Sequence, residues 1–146
     1  MSDNSTLRSA KDPEAYSFWT EERVRFADLD VLGHVNNKAY FTFSESGRVV
    51  FLTATGLWKQ GAQRQSVIVR AELDYHQELH FPATVRIGVR VLKVGRTSFT
   101  LGLGMFNGDQ CVATNVTVVV RLDMQTRAPV ALNEEELAGI QPYLAV

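Results

Sequence analysis

Residues 28–40 read Asp-Leu-Asp-Val-Leu-Gly-His-Val-Asn-Asn-Lys-Ala-Tyr, which puts two carboxylates, an imidazole and two amides into one turn. The run ends where an amphipathic helix is expected to begin. Helix starts gather unpaired backbone N–H groups and the positive end of the dipole, so they favour developing negative charge. A carboxylate held beside such a start suits attack on an activated carbonyl, either directly or through a water molecule. Asp30 is the leading candidate for that carboxylate. Asp28, closing the preceding strand, is better placed to hold the loop by accepting backbone N–H bonds. His34 lies four residues past Asp30, near enough for a turn to join them. Its ring could orient water, protonate a leaving group or bond a main-chain carbonyl.

The helix that would position this turn can be read from the residues that follow. Gly33 eases a tight path into it, and Asn36 or Asn37 can act as its N-cap. From there to about Thr55 the spacing predicts a helix roughly 28 Å long. Ala39, Tyr40, Phe43, Gly47, Val50, Phe51 and Ala54 make one broad apolar stripe. Phe41, Val49 and Leu52 make a second, with Glu45 in its middle, so cover is expected on two sides. Glu45 sits about 12 Å from the helix start, which is far from chemistry at Asn37, and it is expected to pair with Arg48. Gly56 fits the C-terminal stop.

Strands account for most of the remainder. Residues 16–27 read as one, with Phe18, Val24 and Phe26 on a common face. Val67, Val69, Ala71, Leu73 and Tyr75 form another apolar row, as do Val85, Ile87, Val89 and Val91. Phe99, Leu101, Leu103 and Met105 form the next, and Val112, Val116, Val118 and Val120 carry the last long strand. Asn107-Gly108-Asp109 signals a hairpin, and Asn133 can cap a short helix over residues 134–140. One strand, a long helix and four further strands imply an α+β domain. The expected architecture is an antiparallel sheet of about five strands wrapped around one long central helix. Residues 1–14 are polar and read as a flexible tail, and 15–146 as a single domain.

Composition narrows the function classes. The chain has 146 residues and a net charge of -1, with a pI near 6.3, which argues against a nucleic-acid binder. No apolar run reaches the roughly 20 residues a membrane span needs, and the N-terminus lacks the apolar core of a signal peptide. A cytoplasmic location is expected. Cys111 stands alone, so neither an internal disulfide nor a thiolate metal cluster can form, and no base is evident beside it. Ser44 and Ser46 lack the strand-turn-helix elbow of serine hydrolases. His34, His76 and His80 show no ligand spacing, so no metal is expected.

With these residues in place, the chain resembles the hot-dog fold thioesterases of the 4-hydroxybenzoyl-CoA thioesterase-like branch. The likeness rests on Phe26-Ala27-Asp28-Leu29-Asp30, Gly33-His34-Val35-Asn36-Asn37, Tyr40 and Glu45-Ser46-Gly47-Arg48. Leu73-Asp74-Tyr75, Gly95-Arg96-Thr97-Ser98-Phe99 and Val120-Arg121-Leu122-Asp123 extend it across residues 18–132. The resemblance implies hydrolysis of acyl-CoA or acyl-carrier-protein thioesters with no metal or redox cofactor. It also implies a homodimer or homotetramer, with sheets joined across subunits and the site at their interface. It makes Asp30 the catalytic carboxylate, as nucleophile or general base, and the Asn37 N–H the donor to the thioester carbonyl. Arg96, Thr97 and Ser98 correspond to a loop that in some members of the family meets the nucleotide end of coenzyme A. The chain is similar as well to plant acyl-carrier-protein thioesterases, matching at Asp30 and His34, but Leu32 stands where those have Asn. Two rival readings are a hot-dog hydratase or dehydratase acting on acyl thioesters, and a non-catalytic acyl-CoA-binding module.

Overall fold

The computed structural model of this chain describes residues 7–146. Six strands form one antiparallel sheet: β1 (Phe18–Arg23), β2 (Arg64–Tyr75), β3 (Thr84–Val94), β4 (Ser98–Asn107), β5 (Gln110–Asp123) and β6 (Ala128–Pro129). Their order is β1-β3-β4-β5-β2, with the short β6 pairing the end of β5. Two α-helices occur among the described residues, α1 (Asn37–Ala54) and α2 (Glu134–Ile140).

The core lies between α1 and one face of the sheet. Period-two alternation puts Val85, Ile87, Val89 and Val91 of β3 and Phe99, Leu101, Leu103 and Met105 of β4 on that face, none more than 1% exposed. From α1 come Ala39, Tyr40, Phe43, Phe51 and Leu52. Gly47 lets helix and sheet approach closely, since a methyl group there would stand 2.7 Å from Ile87 Cγ2.

The expected architecture is corrected in two respects. The sheet has six strands rather than about five. It also does not enclose one long central helix: α1 has 18 residues and packs against β1, β3 and β4. Phe41, Val49 and Val50, expected to be covered, stay 40–46% exposed because the chain's own strands reach only one side of α1.

Three strands also differ from their expected patterns: in β2 a register shift between Ile68 and Arg70 breaks the expected apolar row and leaves Val69 59% exposed, and β5 and β1 depart as follows. A register shift between Met105 and Phe106 sets Ala113, Asn115, Thr117 and Val119 opposite the inward row of β4. Of the four valines expected to carry β5, only Val112 is buried, and Val116 is 36% exposed. The buried row instead contains Asn115 and Thr117, whose polar atoms are satisfied internally. Asn115 Nδ2 donates to the Glu72 carbonyl at 2.9 Å, and Thr117 Oγ1 donates to Asn115 Oδ1. β1 stops at Arg23, before a 3₁₀ turn over Phe26–Asp28, and leaves Phe26 exposed instead of sharing a row with Phe18 and Val24.

Of the expected N-terminal tail, residues 1–6 lie outside the described residues. From Arg8 onward the segment docks on the outer face of the sheet. The Arg90 guanidinium donates to the Arg8 carbonyl at 2.9 Å, and the buried Tyr16 donates its hydroxyl proton to the Ala10 carbonyl at 2.6 Å. At the other end, Asn133 and Glu136 cap α2 reciprocally. The Glu136 carboxylate also accepts from Arg64 and Arg121, which ties α2 to β2 and β5.

Candidate active site

Local hydrogen bonding explains the course of the 28–37 loop. Asp28 is 5% exposed and accepts from the Arg25 N–H at 2.7 Å and from the Arg25 guanidinium at 2.9 Å. Burial alone would push its carboxyl up, but these bonds hold it below its ordinary value. The Asp28 carbonyl accepts from the Asn36 N–H at 2.8 Å, which closes the loop behind Asp30. Asp28 therefore has the loop-holding place expected for it.

Asp30 is arranged differently. Its N–H donates to the His34 carbonyl at 2.8 Å, and the Gly33 N–H donates back to the Asp30 carbonyl at 3.0 Å. Gly33 has φ 79°, a conformation that glycine adopts at no steric cost. Asp30 Oδ1 accepts from the Leu32 N–H at 2.9 Å and the His34 N–H at 3.1 Å. Oδ2 has no hydrogen-bond partner among the described residues, and the side chain is reachable from solvent. One carboxylate oxygen thus fixes the side chain and leaves the other available to a ligand or water.

The start of α1 is similarly divided. The Val35 N–H donates to the Leu79 carbonyl at 3.2 Å and the Asn36 N–H to Asp28. The Asn36 side chain caps the helix by accepting from the Lys38 N–H at 2.7 Å, and the Ala39 N–H donates to the Asn36 carbonyl at 3.0 Å. Between them, the Asn37 N–H has no acceptor among the described residues. The sequence admits either asparagine as the cap. The fold uses Asn36, which leaves Asn37 as the first helical residue with its amide open.

Asp30 and Asn37 line a common cleft of about 370 Å³ together with His34, Tyr40, Tyr75 and His76. The rings of Tyr40 and Tyr75 stand perpendicular at 5.0 Å and form an apolar wall. His76 Nε2 lies 2.9 Å from Thr114 Oγ1, and burial holds its imidazole below the usual range. The His34 ring does not turn back to Asp30. It is the His34 backbone that binds Asp30, while the ring stands 3.9 Å from Glu78 Oε1 and packs against His80. Tyr75, His76, Glu78 and His80 have no site role in the sequence reading. The signals for this stretch are the Leu73-Asp74-Tyr75 match and the polar run His76-Gln77-Glu78 that follows β2.

Other candidates fall elsewhere. Arg96, Thr97 and Ser98 form the β3–β4 turn, where the Thr97 carbonyl accepts from the Arg121 N–H at 2.9 Å. Within one chain this turn is not brought to the cleft. Tyr75 pairs with Ala113 and Ser98 with Val120, and that stretch of β5 spans roughly 23 Å at the usual strand rise. Glu45 is exposed on α1, and Arg48 donates to Ser44 Oγ at 3.0 Å rather than pairing with Glu45. Cys111 is buried, with its thiol pushed up chiefly by that burial. A larger depression of about 590 Å³ between β1 and α1 is lined by Glu21, Glu22, Arg23 and Arg25. It contains no helix start, so it lacks the pairing of a carboxylate with an open helix amide that the smaller cleft has.

Residues 24–140 match the thioesterase-like superfamily. The chain belongs to that superfamily. Among solved structures of similar fold is the PA5185 protein from Pseudomonas aeruginosa strain PAO1, at 27% identity and a TM-score of 0.83, covering 90% of this chain and 94% of that one. A thioesterase superfamily protein from Jannaschia sp. CCS1 is 30% identical, with a TM-score of 0.80 and coverage of 88% and 83%. A thioesterase complexed with coenzyme A and Zn from Thermus thermophilus is 26% identical, with a TM-score of 0.78 and coverage of 89% and 96%. In thioesterase-like terms, the curled antiparallel sheet carrying α1 is the hot-dog arrangement that the sequence resembles. Among the described residues no helix is long and apolar enough to cross a membrane.

Proposed function

We propose that the chain is an acyl-CoA thioesterase in which Asp30 drives attack on the thioester carbon and the Asn37 N–H stabilises the oxyanion. One observation carries this reading: a carboxylate with a free Oδ2 and an open amide at the helix start line one cleft. Negative charge that develops on the carbonyl oxygen during attack meets a donor already held in place by the helix, which is how such sites lower barriers. The Asp30 bonds to Leu32 and His34 hold the carboxylate rotamer, so no ordering is needed at the moment of reaction. Asp30 acts as nucleophile through a mixed anhydride, or as general base toward water; both routes use the same oxygen. His34 contributes through its backbone, by fixing Asp30. The coenzyme A bound to the Thermus relative supports coenzyme A as the leaving thiol.

A second copy of the chain gives the Arg96 turn its role. β2 is a 12-residue edge strand with Ile68 and Val69 exposed, and α1 keeps an uncovered face of its own. Antiparallel pairing of two β2 edges reverses one sheet relative to the other. The Arg96, Thr97 and Ser98 turn of one protomer then comes toward Asp30 of its partner, where Arg96 suits a coenzyme A phosphate. A homodimer is the smallest assembly that does this, and a homotetramer built from it keeps the same site.

The test is a thiol-release screen over aliphatic, branched and aromatic acyl-CoAs, run for the natural chain and for Asp30→Asn, with enoyl-CoA hydration followed in parallel. Thiol release that falls at least ~100-fold in Asp30→Asn, the scale of a positioned base, supports the proposal. Hydration without thiol release would assign a hydratase, and tight binding with no turnover a binding module.

A further inference from the structure

We propose that His34, Glu78 and His80 form a binding site for a divalent transition-metal ion of the zinc type, on the rim of the Asp30 cleft. Sequence spacing gives no sign of it, because His34 precedes α1 whereas Glu78 and His80 follow β2. The fold brings them together. His34 Nε2 stands 3.9 Å from Glu78 Oε1 and His80 Nε2 stands 3.4 Å from Glu78 Oε2. One donor atom from each of the three lies within 4.8 Å of the others. Donors on a tetrahedral zinc with bonds near 2.0–2.1 Å stand about 3.3 Å apart, so closure around an ion needs movements of about 1.5 Å or less.

The backbone pre-forms this cluster. The buried Leu79 separates Glu78 from His80, and the two flanking side chains meet on the exposed side at 3.4 Å. The Leu79 carbonyl accepts from the Val35 N–H, which fixes the residue next to His34 against the same segment. His34 is held again by its two main-chain bonds with Asp30. Both arms of the site are therefore anchored, while the three side chains remain 42–66% exposed and open to an ion from solvent. Two imidazoles with one carboxylate favour zinc, cobalt, nickel or copper over magnesium or calcium, which require oxygen donors. A fourth position stays free for water. The site stands on these three side chains whether or not a thioester is the substrate.

Calorimetric titration of the full chain with zinc chloride, repeated with Glu78→Gln and His80→Ala, tests the proposal. Cobalt(II) absorption spectra supply a readout of the ligand set that does not depend on activity. The expected result is one zinc per chain, visible cobalt bands of low coordination number, and at least ~10-fold weaker binding in each variant, as for loss of a metal-site partner. Retained circular dichroism separates loss of the site from loss of the fold. Absence of saturable binding by the natural chain, or wild-type affinity in both variants, overturns the site. An affinity loss confined to Asp30→Asn, with Glu78→Gln and His80→Ala unaffected, overturns it as well.

Discussion

Asp28 and Asp30 are two residues apart, and their neighbours put them to different uses. Arg25 closes on Asp28 from both its backbone and its guanidinium, whereas Asp30 spends one oxygen on the turn and keeps the other free. Replacing the nearly buried Asp28 strands the Arg25 N–H and loosens the loop's closure. Asp28→Ala is expected to lower stability by about 1–3 kcal/mol, read as a shift of the urea midpoint at unchanged slope. The turn that carries Asp30, His34 and Asn37 is legible in the sequence because its bonds are local, and Asx-turn and cap chemistry can be read from neighbouring residues. The approach of Glu78 and His80 is not, because the contacts that bring their segment to the loop, such as the Val35–Leu79 bond, join residues far apart in the chain.

At the scale of elements, β3 and β4 are the strands where simple alternation held, each facing α1 with an unbroken apolar row. β5 departed because a bulge exchanged its faces and because its inward row is half polar. Neither feature leaves a period-two trace. The docking of residues 8–16 was equally hidden, since it rests on glycines that leave room for Tyr16. A methyl group at Gly88 would meet Tyr16 Cγ at 2.5 Å, and one at Gly104 would meet its hydroxyl at 2.7 Å. Ring and strand backbone cannot both stay in place. Gly88→Ala is therefore expected to cost about 1–3 kcal/mol and to expose the N-terminal segment to protease, measured by unfolding and limited proteolysis.

For the whole molecule, the Arg64–Glu136–Arg121 cluster joins the C-terminal helix to the sheet. Burial would raise the Glu136 carboxyl, but the bonds from Arg64, the Asn133 N–H and Arg121 outweigh it and hold it at about 2, against an ordinary 4.5. The unfolded chain takes up this proton first as pH falls. The cluster's contribution is accordingly complete above pH 4.5, declines between 4.5 and about 2, and is gone below that. Thermal unfolding followed across this window should show the natural chain losing stability with acid. Glu136→Gln should start lower by roughly 3 kcal/mol, from the stranded Arg121, and lose less. The open face of α1 and the bare β2 edge belong to this scale too, because they mark where one chain stops providing its own cover.

In the proposed mechanism a single backbone amide carries the oxyanion, and the local geometry allows that amide to be deleted without disturbing the helix. Asn37 is the first helical residue, its N–H has no acceptor among the described residues, and Asn36 is extended at φ -71° and ψ 150°. Proline is accepted at such a position after such a residue. The most direct measurement is kcat/KM for thioester hydrolysis by Asn37→Pro beside Asn37→Ala. Asn37→Pro should keep its Tm and lose roughly 100-fold or more, about 3 kcal/mol of transition-state stabilisation, while Asn37→Ala stays within a few-fold of the natural chain. A folded Asn37→Pro that turns over at the natural rate would rule out the Asn37 N–H as the oxyanion donor.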